Sequence, residues 1–267
     1  MHITKINTLC NILLKFYPLF FRFTQFLPYC HILKRLLDKL RTMIIYGKQP
    51  VYYLIDKHPQ NIKTLFVAKD LDKKEYSRLM RMDFELKRIP VNAAQVMCKS
   101  GNHQGFLAEV DELVLHDLKD LVKASFVVVL AGITDMGNMG AIIRSAYALG
   151  VDAVIISGIK QFSAENVVRS SAGSAYDMPI VHTHNLYDVM NELKLDGFTL
   201  YGASMKGEDI RNIRCEGKRA LIMGNEAEGI PARAEKKLDV KVSIKMENEF
   251  DSLNVSVASA ILMDRMR

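Results

Sequence analysis

The sequence predicts an α/β protein, in which a small α/β unit precedes a larger one built on a mostly parallel sheet. Beyond residue 125, short apolar runs rich in Val and Ile alternate with segments of helical period. Several of those runs end in glycine-bearing loops, the place where open α/β sheets hold ligands. Between residues 43 and 115 the same kinds of segment recur on a smaller scale. At 267 residues, 49% of them hydrophobic, the chain has material for one large core or two ordinary ones.

Residues 1–42 stand apart. Seven of the chain's 36 Lys and Arg residues and one of its 30 acids fall there, which leaves 29 of each in the remainder. The formal charge of +6 therefore belongs to this segment and says little about the folded body. Lys15 and Arg22 interrupt its apolar run, so the uninterrupted stretches are short against the ~20 residues a membrane span needs. An amphipathic surface helix and a transit-like peptide both suit a stretch so poor in acids. The expectation adopted is a non-essential extension, because a new pattern begins at Met43.

From there the order is a helix at Pro50–Asp56, a strand at Thr64–Ala68, a helix at Lys73–Met82 and a strand at Gly105–Val110. Lys57–Arg88 holds nine basic residues against five acids. Such a run is either a solvated face or a phosphate-contacting patch. Residues 116–124 read as a linker or connecting helix. Strands follow at Phe126–Leu130, Ala153–Ser157, Ile180–His182, Phe198–Ala203, Arg219–Met223 and Val240–Ile244. Helices are expected at Gly140–Leu149, Ala164–Ala172, Leu186–Leu193, Ala232–Lys237 and Leu253–Arg267. The domain expectation is thus 1–42 extension, 43–115 first domain, 116–124 linker and 125–267 second domain.

Several chemistries are disfavoured. The four cysteines form no C-x-x-C pair, which suggests neither a zinc ribbon nor a disulfide framework and fits a reducing cytoplasm. No G-x-x-x-x-G-K-[ST], G-x-G-x-x-G after the first strand, or G-x-S-x-G occurs. His182 and His184 form the one metal-like pair, and with no third ligand implied they read as a strand end beside a turn. No metal is expected, and no membrane partner for residues 43–267.

Three loops remain: GITDMGNMGAIIRSA (Gly132–Ala146), MGNEAEGI (Met223–Ile230) and SIKMENEFDSLNVSVASA (Ser243–Ala260). Singly each has a plain structural reading: turn glycines, Asn138 as a helix N-cap, Asp251 or Ser252 capping the last helix. The middle one looks like a phosphate turn, yet Glu226 and Glu228 would repel an anion. Together and in order, they resemble the three motifs of the SpoU (TrmH-type) family of RNA ribose 2′-O-methyltransferases. Asn138, Gly140, Arg144, Ser145 and Ala146 match the first motif. Gly224, Glu226 and Gly229 match the second. Ile244, Met246, Ser252, Leu253, Asn254, Val255, Ser256 and Ala258 match the third. The sequence departs from that pattern at Lys245, where the family usually has proline, and at Met136-Gly137. MIIYGKQPV and HQGFLAEV are similar to the small N-terminal RNA-binding domain of the branch that modifies a guanosine of 23S ribosomal RNA.

The resemblance implies a SPOUT-type parallel sheet with a C-terminal trefoil knot, preceded by a small α/β (L30e-like) RNA-binding domain. It implies a homodimer, S-adenosyl-L-methionine as cofactor, RNA as partner and a cytoplasmic enzyme. A cationic sulfonium with no phosphate is compatible with a carboxylate-bearing loop. By residue-for-residue transfer, Arg144 activates or orients the 2′-hydroxyl, Asn138 holds the ribose and Arg144, and Glu226 positions the arginine or its dimer partner. Ser252 and Asn254 order the knot loop. Gly224, Asn225, Ile244, Met246, Leu253 and Ala203 are the expected cofactor-binding residues. RNA contacts are expected from Arg169, Lys63, Lys73, Lys74, Arg78, His103 and Gln104. A tRNA methyltransferase and a non-catalytic RNA-binding ribosome-assembly protein of the same fold are the alternatives.

Overall fold

The computed structural model describes residues 42–99, 101–248 and 252–267. The reading of residues 1–42 as an extension falls, save for Thr42, outside the described residues. Five residues at Thr42–Tyr46 (β1) open the first sheet, and the chain turns at Gly47 into a helix at Lys48–Lys57 (α1). Then follow β2 (Ile62–Val67), α2 (Lys73–Leu79), β3 (Glu85–Arg88), α3 (Val91–Met97) and β4 (Phe106–Asp111). The order is β1-β4-β2-β3, with β4 antiparallel to both β1 and β2 and β3 parallel to β2. Strands β1 and β3 and helix α3 were not expected from the sequence. In β3, ELKR is an exposed, polar edge strand with no apolar alternation to reveal it. Asp72 starts α2 by accepting from Glu75 N at 2.8 Å, which supplies the side-chain cap a short helix needs.

Residues 116–124, expected as a linker or connecting helix, run against the second sheet. His116 N donates to the Ile180 carbonyl, and a single 3₁₀ turn at Leu118–Leu121 carries a reciprocal Asp117/Asp120 capping box. The second sheet then contains β5 (Phe126–Ala131), β6 (Ala153–Ser157), β7 (Ile180–Thr183), β8 (Thr199–Asp209), β9 (Arg219–Gly224) and β10 (Val240–Ser243). Its helices are α4 (Met136–Ala148), α5 (Ala164–Ser170), α6 (Leu186–Leu195), α7 (Ala232–Glu235) and α8 (Val255–Met266). All six strands are parallel, in the order β10-β8-β9-β5-β6-β7.

Every residue of β5 and β6 is buried, as parallel strands covered on both faces require. Along β5 the faces alternate. Phe126, Val128 and Leu130 enter a core shared with Met139, Ile142 and Ile143 of α4, Val167 of α5 and Leu262 of α8. Val127, Val129 and Ala131 enter the opposite one, with Leu186, Val189, Met190 and Leu193 of α6. Helix α4 lies directly against α5 because position 140 is glycine. A Cβ there would sit 2.0 Å from Ser170 Oγ, whose hydroxyl lies 2.7 Å from the Met136 carbonyl at the start of α4.

Strand β8 runs on to Asp209, six residues beyond the expected end at Ala203. The added part is largely polar and pairs with the second half of β10 after a register shift between Lys241 and Val242. Backbone pairing makes it a strand, so hydrophobic periodicity could not find it. No helix among the described residues is long and apolar enough to cross a membrane.

The first sheet's module docks on α4, α5 and the 3₁₀ turn Ser174–Tyr176. The Arg169 guanidinium, 4.5 Å from the centre of the Tyr46 ring, also donates to the Tyr46 hydroxyl. The Tyr53 hydroxyl donates to Asp177, and burial together with that carboxylate pushes its phenol well above the usual range. His58 Nε2 lies 3.1 Å from the same carboxylate, outside hydrogen-bond geometry.

Candidate functional site

At the C-terminal ends of β8, β9 and β10 the chain encloses a pocket of about 500 Å³, within the range of small-molecule sites. One wall is the loop after β9. Gly224 makes it possible, since a Cβ at that position would lie 2.1 Å from the Gly229 carbonyl carbon and 2.3 Å from Ile230 N. Asn225 then folds the loop back on itself. Its Oδ1 accepts from Ala227 N at 3.0 Å and Glu228 N at 2.7 Å, while Gly229 N donates to the Asn225 carbonyl at 3.0 Å. The other walls are the extended end of β8, the segment after β10, and the Val255, Ala258 and Leu262 face of α8.

All six residues expected to bind cofactor, Ala203, Gly224, Asn225, Ile244, Met246 and Leu253, line this pocket. So do Ser252 and Glu226. Sequence reasoning missed Met205 and Lys206, which lie on the unforeseen part of β8. It also left out Val255, Ala258 and Leu262, although their i, i+3, i+7 spacing marks one helical face.

The three motif loops meet in one hydrogen-bonded chain. Asn138 Nδ2 donates to Glu226 Oε1 at 2.8 Å, and Asn254 Nδ2 donates to Asn138 Oδ1 at 3.0 Å. Each end is fixed from behind. Asp135, not Asn138, is the N-cap of α4, its Oδ1 accepting from Asn138 N at 2.6 Å. Asn254, rather than Ser252, caps α8 by accepting from Ser256 N at 2.9 Å, and Asp251 lies outside the described residues. The sequence signal for Asp135 was available, three residues before Asn138 at the head of a helical pattern.

Within the single chain Glu226 and Arg144 do not pair. Glu226 is bonded to Asn138, and Arg144 is exposed on α4 with no side-chain hydrogen bond or ion pair among the described residues. Six residues at about 100° each separate positions 138 and 144, which places them on different faces of the helix.

The expected RNA contacts divide as well. His103 is buried and accepts from Gly105 N through Nδ1 at 3.0 Å, so it shapes the turn before β4 and is not on a surface. Gln104 Oε1 accepts from Lys48 N at 2.8 Å at the start of α1. Arg169 is occupied by Tyr46, Lys63 lies 3.2 Å from Asp111, and Arg78 pairs with Asp56. Lys73 and Lys74 are exposed and have no carboxylate partner among the described residues. Lys48 and Lys69 share that condition and were not anticipated. They come to one edge of the module, Lys48 Nζ 5.8 Å from the Tyr52 ring and Lys69 Nζ 4.7 Å from the Phe106 ring. The pair His182 and His184 meets the Ile159 carbonyl, at 3.3 and 3.0 Å.

Comparison with known proteins gives this arrangement a family. Residues 125–264 match the SpoU rRNA Methylase family, and residues 44–114 match the family described as RNA 2′-O ribose methyltransferase substrate binding. The 23S rRNA (guanosine-2′-O-)-methyltransferase RlmB of Xylella fastidiosa (strain 9a5c) is 36% identical over 202 residues, covering 72% of this chain and 80% of the relative. The protein of the same name from Vibrio vulnificus (strain CMCP6) is 32% identical over 234 residues, covering 82% and 94%. The fold matches the SpoU methyltransferase AviRb from Streptomyces viridochromogenes in complex with AdoMet, with a TM-score of 0.70, 24% identity, and 84% and 89% of the two chains covered. An AdoMet-bound rRNA methyltransferase from Sinorhizobium meliloti gives 0.69 at 23% identity, over 88% and 90%. A parallel sheet whose strand-end loops close one pocket, matched along nearly its whole length and preceded by the matched smaller module, places this chain in the SpoU rRNA methylase family.

Proposed function

We propose that the protein transfers a methyl group from S-adenosyl-L-methionine to the 2′-hydroxyl of a ribose in RNA, a guanosine of 23S ribosomal RNA. The observation that carries this reading is the Glu226–Asn138–Asn254 chain at the edge of the pocket, which joins all three motif loops. The pocket fits the cofactor's chemistry. Backbone groups of the tight Gly224–Gly229 loop and the apolar side chains of Ile244, Leu253 and Leu262 suit a nucleoside. Glu226 and Glu228 favour a cation, and the third lining carboxylate, Glu235, is already paired with Lys241. When bound, the sulfonium supplies an electrophilic methyl group and a good leaving group without a metal.

The protein's part is orientation. Because Glu226 accepts the amide hydrogens of Asn138, the side chain is fixed with its carbonyl oxygen toward Asn254. That rigid chain holds the substrate ribose in line with the donor, the condition under which proximity lowers the barrier. Arg144 activates the hydroxyl, or orients it by gripping the adjacent phosphate.

Homodimerisation is part of the proposal. Arg144 neighbours a shallow depression formed by Ser145 and Ala148 of α4 and the following Leu149 with Ala260 and Ile261 of α8, and Val257 on α8 is exposed. Association through that face would fix the arginine that has no partner among the described residues. The trefoil knot is proposed too, supported by β10 pairing beside β8 while α8 returns against α4 and β9. Residues 43–115 are read as the RNA-binding module, 116–124 as its connector and 125–267 as the methyltransferase domain.

Mapping 2′-O-methylation in ribosomal and transfer RNA from cells with and without the gene tests the function. Loss of one guanosine modification in 23S rRNA is expected. Loss confined to tRNA would move the substrate, and an unchanged map would overturn the enzymatic reading.

A further inference from the structure

Beyond the donor pocket, the same edge of the large sheet carries an aromatic cluster that the proposed reaction does not use. Phe162, in the loop after β6, stacks on His182 of β7, with ring centroids 5.4 Å apart and planes inclined by 30°. The His184 ring meets His182 edge-on at 5.3 Å. The Ile159 carbonyl holds both imidazoles, at 3.3 Å from His182 Nε2 and 3.0 Å from His184 Nδ1, so the rings are oriented by backbone. Phe162 and His182 are only half-buried, and the neighbouring Lys160 is exposed with no carboxylate partner among the described residues.

The cluster is continuous with the pocket through the loops between them. A Cβ on Gly158 would lie 3.3 Å from Gly132 N, and one on Gly132 would lie 3.5 Å from Asn225 Nδ2 in the pocket wall. Strands β9, β5, β6 and β7 are successive neighbours, so three strand spacings, about 14 Å, separate the Gly224 loop from the histidines. A nucleic-acid strand lying across these ends would reach both.

We infer that Phe162 and His182 form a stacking platform for an unpaired base of the RNA substrate near the methylated ribose, with Lys160 facing the adjoining phosphate. Single-stranded RNA is recognised chiefly by unstacked bases laid on aromatic side chains, with cations along the backbone. A partly exposed planar stack, with an exposed lysine two residues before Phe162 that has no carboxylate partner among the described residues, supplies both. The platform rests on the proposed RNA-methylation reading and adds positioning residues to it.

The test combines Phe162→Leu, which keeps apolar volume and removes the aromatic face, with Phe162→Trp, which keeps the face. Both are assayed in the full chain on a 23S rRNA fragment carrying the methylated guanosine, and on fragments abasic at that nucleotide or at either neighbour. Expected are a 5- to 100-fold weaker RNA affinity for Phe162→Leu, in proportion to one lost base–aromatic stack, and near-normal affinity for Phe162→Trp. One abasic fragment should bind wild type and Phe162→Leu equally weakly, because the stack is then already lost. Undiminished affinity of a folded Phe162→Leu protein, or losses that multiply at all three abasic positions, would overturn the platform. Wild-type protein that transfers no methyl group to rRNA would instead remove the enzymatic reading, and the platform with it.

Discussion

The donor pocket and the exposed lysines of the small module are built from opposite materials. Around the pocket, position depends on backbone. A glycine permits the Gly224 loop, Asn225 folds it, and Asp135 and Asn254 fix the helix ends that present the amides. On the module, Lys48, Lys69, Lys73 and Lys74 are exposed, separate charges. A site made of interlocking backbone loses function abruptly when one part changes, whereas a face made of independent charges loses affinity by increments and in a salt-dependent way.

Gly224→Ala should break the comparison most visibly. The added methyl group has only backbone to displace, so S-adenosylmethionine binding measured by calorimetry should fall at least 100-fold in a protein whose fold persists. Arg144→Ala should abolish methylation while calorimetry finds cofactor affinity intact, since the side chain lies away from the pocket. Near-normal turnover would withdraw its assigned role.

Asn138→Ala removes both bonds of the central chain, and kcat is expected to drop roughly 100-fold with KM for RNA little changed, an orienting loss rather than a binding one. Asn254→Ala should lower kcat too and weaken cofactor binding. It should also destabilise the protein by about 1 kcal/mol through the lost cap, and so reduce the melting temperature where Asn138→Ala does not.

At the junction, Tyr46→Leu removes the ring and hydroxyl that occupy Arg169. It should raise KM for RNA several-fold and leave the kcat of the saturated enzyme near normal. A drop in kcat alone would mean that the module acts on the chemistry. The smallest effects belong to Lys48→Ala and Lys69→Ala. Each should weaken RNA binding a few-fold and reduce the salt slope of log K by a little under one, the increment for one phosphate contact. An unchanged slope would take that lysine off the RNA path.

Much of the larger sheet could be read from the sequence because its strands are continuous apolar runs. FVVVLA and AVIIS are buried on both faces, and a run of that kind declares itself without knowledge of its neighbours. The end of β8 and the whole of β3 could not be read this way. Ser204–Asp209 and ELKR carry no apolar signature and become strands through pairing with β10 and β2, partners remote in sequence. The pocket lining followed from the same contrast. Residues on the three motif loops were anticipated, while Met205 and Lys206 were not.

By itself, the sequence determined the parallel α/β body, the order of its motifs and the residue types of a site for a cationic methyl donor. Local pattern suffices for the body, and the resemblance of the three motifs to a known family supplied the methyl donor. Tertiary structure alone decided who touches whom. It gave Glu226 to Asn138 instead of Arg144, buried His103, paired Lys63 and Arg78 with carboxylates, and turned Arg144 away from Asn138. These outcomes depend on helix phase and on side chains from distant segments arriving at one place. Composition and spacing along the chain carry neither.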